Sequence, residues 1–191
     1  MATKISVLPT EEPINLEDAK AHLRVDHDED DDYILNLIMV ACQYAETVTH
    51  RALITQTWIY YLDDFPDDDY IEIPYPPLQS VTSLKYTDYN NTQTEWANTN
   101  YIVDTASLPG KIVLAYGISW PTATLYPSNP IEITYVCGYG TPDDIPESIK
   151  QGMKLDIGDM YENRETIIVG QPIAHLDALE RIYMPYRVWN F

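Results

Sequence analysis

Asp26-x-Asp28-x-Asp30 sets three carboxylates at alternate positions, the spacing with which a calcium loop begins to surround its ion. The pattern stops there. Asp31 stands where the loop needs glycine for its sharp turn, and Leu37 where it needs the bidentate glutamate. The run reads as a solvated acidic lead-in to a helix, with carboxylates beside the positive end of the helix dipole. Asp63, Asp64, Asp67, Asp68 and Asp69 surround Phe65-Pro66 and read as a charged turn with at most weak affinity for divalent ions. Nucleophilic chemistry has no carrier: there is no Gly-x-Ser-x-Gly elbow, no cysteine patterned with a partner histidine, and no His-Glu-x-x-His helix. His22, His27, His50 and His175 are scattered. Gly138-Tyr139-Gly140 lacks the lysine and spacing of a phosphate loop and reads as a turn closing a strand. No catalytic residue, metal ligand or cofactor is expected, and the chain is not read as an enzyme. Paired carboxylates, as in glycoside hydrolases, remain an alternative that no particular pair supports.

The last eight residues, Met184 to Phe191, join three aromatics to an arginine, and from Arg181 onward there are two arginines and no acid. The chain as a whole carries a formal charge of -19 and a pI near 4.2. Pro185 discourages a continuing helix, and exposed aromatics are costly unless they cover a surface. Two arrangements fit: the tail docks on a partner, or it packs back on its own domain. Tyr186, Arg187, Trp189 and Phe191 are the candidate docking residues.

With 30 acidic against 11 basic side chains, neutralisation of phosphates cannot drive general affinity for nucleic acid. The 45% hydrophobic content supports a packed core despite the acidity. Residues 1–5 lack the apolar run of a signal peptide, and no later run is long enough to span a bilayer, so the chain is expected in the cytosol. Cys42 lies in a helical pattern and Cys137 in a strand pattern, and each reads as a small buried hydrophobe rather than half of a disulfide. The 16 tyrosines and four tryptophans concentrate in the middle of the chain. A carbohydrate-binding or adhesion face would look similar, although half-buried strands favour the same residues.

Three helices precede or follow that middle segment, and a short fourth closes the chain. Asn15 is an N-cap with Asp18 in the capping-box position, leading into Leu16, Ala19 and Leu23. Ile34, Leu37, Ile38, Ala41, Ala45 and Val48 carry a sustained helical period that ends at His50-Arg51. Pro146 opens a third helix with Ile149, Met153, Ile157 and Met160 on one stripe. Ile173, Leu176, Leu179 and Ile182 mark the last, stopped by Pro185. Between them the period becomes two, with strands predicted over 57–62, 70–73, 81–86, 101–103, 111–115 and 131–139. The expected class is α+β: a helical core of about four helices (residues 1–54 and 142–191) with a β-rich module (55–141) inserted between the second and third.

Several strings in this order resemble the tailed-phage head-tail connector proteins, also described as head-completion adaptors or DNA-packaging proteins. They are Leu16-Glu17-Asp18-Ala19-Lys20-Ala21-His22-Leu23-Arg24-Val25, Pro76-Pro77-Leu78-Gln79-Ser80-Val81, Pro109-Gly110-Lys111-Ile112-Val113-Leu114, Ile133-Thr134-Tyr135 with Gly138-Tyr139-Gly140, Tyr161-Glu162-Asn163-Arg164-Glu165, and Pro185-Tyr186-Arg187-Val188-Trp189. The resemblance implies a structural protein at the head-tail interface of the virion, assembled in the host cytoplasm as a homo-oligomeric, usually dodecameric ring. Its implied partners are the portal protein and a stopper or tail-completion protein, with DNA passing through the lumen without sequence-specific binding and no membrane involved. A neighbouring tail-completion protein is the alternative within the same resemblance.

Overall fold

The computed structural model describes residues 2–163, 179 and 181–189. The fold is α+β, and the chain divides into two compact units: Met1–Pro9 with Thr55–Gly138, and Thr10–Ile54 with Tyr139–Phe191.

The second unit is helical: α1 (Leu16–Leu23), α2 (Asp31–Thr49) and α3 (Glu147–Glu162). The Oδ1 of Asn15 accepts from the backbone N–H of Asp18 at 2.7 Å, the cap its position predicts. The first helix stops at Arg24 and the second at His50, both in the left-handed region, with φ of 59° and 55°. Pro146 stands at the N-cap of α3, one residue ahead of its first turn. The stripe Ile34, Leu37, Ile38, Ala41 and Ala45 of α2 shares one core with Ile149, Met153 and Ile157 of α3. Each large aliphatic side chain buried there contributes about 1.5–3 kcal/mol. Of the predicted closing helix, Leu179 and residues 181–183 are helical, while Ile173 and Leu176 lie outside the described residues.

The first unit is built from two antiparallel sheets. The strands are β1 (Ala2–Val7), β2 (Gln56–Leu62), β3 (Tyr70–Glu72), β4 (Leu78–Thr87), β5 (Gln93–Glu95), β6 (Tyr101–Asp104), β7 (Lys111–Leu114) and β8 (Ile131–Cys137). One sheet has the order β1-β2-β8-β4-β5 and the other β3-β7-β6. The alternation read in β8 is realised: Ile131, Ile133, Tyr135 and Cys137 are all fully buried, and Glu132, Thr134 and Val136 between them are half-buried. Cys42 and Cys137 are both free thiols.

Two strands lie outside the sequence expectation. Residues 2–7, grouped there with the helical core, pair antiparallel with β2, Ala2 opposite Tyr61 and Ile5 opposite Trp58. The three polar residues of β5 pair with the end of β4. Within the helical unit, Tyr139 N–H donates to Leu53 O at 3.0 Å and Ile54 bridges to Gly140 in parallel, so the chain leaves and re-enters that unit at one place. Gly140 has φ of +135°, and a Cβ there would stand 2.5 Å from Asp144 Oδ2, so glycine is required at the re-entry. Among the described residues, no helix is long and apolar enough to cross a membrane.

Candidate functional site

The tail is held to the helical unit by its backbone. After Tyr183, which is fully buried against the edge of the Tyr44 ring, Met184–Tyr186 form one 3-10 turn. Arg51, just past the end of α2, donates from Nε to the carbonyl of Tyr186 and stands over the Tyr139 ring at 5.9 Å from its centroid. Desolvation by burial is the main reason the Tyr139 hydroxyl titrates above its ordinary range. Two residues later the Val188 N–H donates to Thr49 O at 2.9 Å. That bond satisfies one of the carbonyls a helix leaves unpaired in its last turn.

The side chains follow a different course. Tyr186 is half-buried, Arg187 is exposed, and Trp189 is 55% exposed. The guanidinium of Arg187 lies 4.5 Å from the centroid of the Trp189 ring, a cation–π pair on the surface. Phe191 lies outside the described residues. The backbone packs back on its own unit as far as Val188, while the side chains of Arg187 and Trp189 face solvent. Beside this turn an open cleft of about 520 Å³ is lined by Glu147, Gln151, Arg181, Pro185 and Tyr186, among others.

Two carboxylates of the acidic run at the start of α2 are paired from within the chain. Lys20, only 8% exposed, places its Nζ 2.7 Å from Asp28 Oδ1 and 2.7 Å from Asp31 Oδ1. The hydrogen bond from Lys20 holds the Asp28 carboxyl below the usual range, and donating to both aspartates pushes Lys20 up. Tyr161 donates to Asp30 Oδ2 at 2.6 Å. A cation brought by the chain itself therefore occupies this acidic knot. Among the described residues no His, Cys, Asp and Glu side chains gather as a metal site.

The tryptophans and Phe65 of the β unit are engaged with neighbouring rings, while Tyr89, Tyr116 and Tyr126 are exposed. Trp58 stacks on Tyr75 at 4.2 Å, Trp96 on Tyr101 at 5.8 Å, and Phe65 on Trp120 at 5.3 Å. Trp120 also donates its indole N–H to Asp68 O at 2.8 Å, tying down the aspartate-rich turn. Three of the four tryptophans thus have a ring neighbour, and Trp189 has the Arg187 guanidinium. That weighs against a flat, open sugar-stacking platform.

A family model described as "Phage gp6-like head-tail connector protein" matches residues 13–108, half of the chain. The chain belongs to this family. The head-tail connector class inferred from the sequence is therefore established, and it is a class of structural proteins rather than of enzymes. Comparison with curated proteins finds no match. Among solved structures, the fold is similar to a chain in the neck of an empty GTA particle computed with C6 symmetry, with a TM-score of 0.80, 20% identity, and 100% of this chain covering 97% of that one. It is equally similar to a chain in the virion of a native gene transfer agent (GTA) particle, with TM-score 0.80, 20% identity and the same coverage. A chain in the neck of a native GTA particle computed with C12 symmetry matches with TM-score 0.75 and 21% identity, again over 100% and 97%. These likenesses place the connector's fold over its whole length.

Sequence reasoning singled out the tail's aromatics but missed Arg51, which together with Thr49 holds the backbone of the connector's tail. A basic residue just past a helix end signals only a favourable dipole contact. Nothing local announces that its partner is 135 residues away.

Proposed function

We propose that this connector is the ring-forming adaptor of a tailed-phage neck, standing between the portal vertex and a stopper or tail-completion protein, with DNA passing through the ring. Membership of the head-tail connector family carries the reading. The whole-chain likeness to neck chains resolved with C6 and C12 symmetry agrees with a ring of about twelve identical subunits. The formal charge of -19 suits a conduit: it gives passing phosphates nothing to hold. Its architecture, on this reading, is a helical core with the β unit, apart from its N-terminal strand β1, inserted between α2 and α3, supported by the meeting of Leu53 and Ile54 with Tyr139 and Gly140 at the root.

Docking on the portal is assigned to the end of the tail, where Tyr186, Arg187, Trp189 and Phe191 follow a backbone already anchored at Thr49 and Arg51. Each large aromatic contributes about 1.5–3 kcal/mol if it becomes fully buried in a partner crevice. Repetition around a ring multiplies such modest terms through effective concentration. The test is binding to purified portal rings, with electron microscopy of the complex. Wild type is expected to form a second ring on the portal, and Arg187→Ala/Trp189→Ala to lose it while remaining folded. Attachment only to a tail-completion protein, or portal binding indifferent to both substitutions, overturns the assignment.

A further inference from the structure

We infer that the outer face of α2 is a contact surface for a second copy of this chain. The inference rests on the ring proposed above and adds one of the two surfaces through which neighbouring copies meet. From Tyr33 to Ala45 the sequence holds no Asp, Glu, Lys, Arg or His, in a chain with 30 acidic residues. The inward side of this stretch is core: Ile34, Leu37, Ile38, Ala41 and Ala45 are buried. The outward side carries Leu35 at 41%, Met39 at 43% and Val40 at 49% exposure. Asn36 and Gln43 flank them, exposed and uncharged. A helix face exposed to water normally carries charge, and this one sits on the longest helix described, 19 residues.

Charge selects the occupant. A basic partner would gain from acidic side chains on this face, and an acidic body of this size has them to spare. A second copy brings another -19, so it meets this one at least cost on a face that presents no carboxylate. A neutral strip with three exposed apolar side chains is that place. Interface centres are likewise depleted of charge and enriched in methionine.

The experiment uses the full-length protein in sedimentation velocity over a concentration series at physiological salt. Met39→Glu/Val40→Glu is compared with wild type and with the conservative pair Met39→Leu/Val40→Ile. Wild type and the conservative pair are expected to self-associate, and the glutamate pair to do so about tenfold more weakly or not at all, with an unchanged melting temperature because both positions face solvent. Equal association of the glutamate pair overturns the surface and leaves the ring intact as a reading. Wild type that stays monomeric throughout overturns the surface as well, and the ring then stands or falls by microscopy of the portal complex. A lowered melting temperature of the glutamate pair without change of association state shows that the face is packed within a single chain, which also overturns the inference.

Discussion

Arg51 donates a hydrogen bond from its guanidinium to the main-chain carbonyl of Tyr186, joining the end of α2 to the last turn before the tail. Because the contact is made to the backbone, the tail's position depends on Arg51 and not on the side chains the tail presents. Anchoring and presentation are therefore separable by mutation.

Arg51→Ala is expected to cost about 1–3 kcal/mol, since a charge-assisted bond is lost and the carbonyl of half-buried Tyr186 loses its partner. Trp189→Ala should leave the melting temperature within about 0.5 kcal/mol equivalent, as exposed positions do. Thermal melts of both variants, with limited proteolysis of the tail, check this. Earlier cleavage of the tail should appear in Arg51→Ala alone.

Two glycines of α3 should respond in opposite directions to alanine. A Cβ on Gly152 would stand 2.9 Å from two ring carbons of the buried Tyr183 and 3.0 Å from Ile182 Cγ2. Overpacking of that kind costs about 1–3 kcal/mol, which outweighs a gain in helix propensity of at most about 1 kcal/mol. At Gly158 the nearest atom, His22 Nε2, is 3.8 Å away, so Gly158→Ala should stabilise by about 0.4–1 kcal/mol. Urea denaturation of the two single variants measures both, and a shared sign would contradict the packing described.

Acid should loosen the junction of α1 and α2. The Asp28 carboxyl is depressed by Lys20, so its contribution is present above the unfolded carboxylate value of about 3.9 and is lost as pH falls through the lower folded value. Asp104 and Asp144, held low by Ser107 and Thr141 respectively, lose theirs in the same window. Lys20 is shifted upward, so its share disappears only at strongly alkaline pH. Melting temperatures of wild type and Lys20→Met should therefore converge as pH drops from about 5 to 2. A gap that stays constant over that range would deny the ion pairs any part in stability.

Excision tests the insertion. Removing residues 1–9 and 55–138 and joining the ends with a short flexible linker should leave a helical remainder with a cooperative melt, because Leu53 and Tyr139 already share a hydrogen bond. Circular dichroism of an unfolded product would show that the helical unit needs the β unit to fold.

Local signals settled most of the elements. Asn15 caps α1 through a bond three residues long, and the alternation in β8 is visible within seven residues, because both depend on neighbours in the chain. Where the deciding partner is distant, the sequence was silent. The strand β1 has only one half-buried position, so no alternation marks it, and it exists because β2 lies more than fifty residues further on to receive it. The strand β5 is exposed throughout and is held by pairing alone. In the candidate site, the composition of the tail identified Arg187 and Trp189 as unusual, but which part of it is fixed and which is presented depends on Thr49 and Arg51 at the far end of another helix. The acidic run divides in the same way. Its carboxylates were plain in the sequence, and only folding brought Lys20 between Asp28 and Asp31, since an ion pair from one helix to the start of the next has no signature in linear spacing.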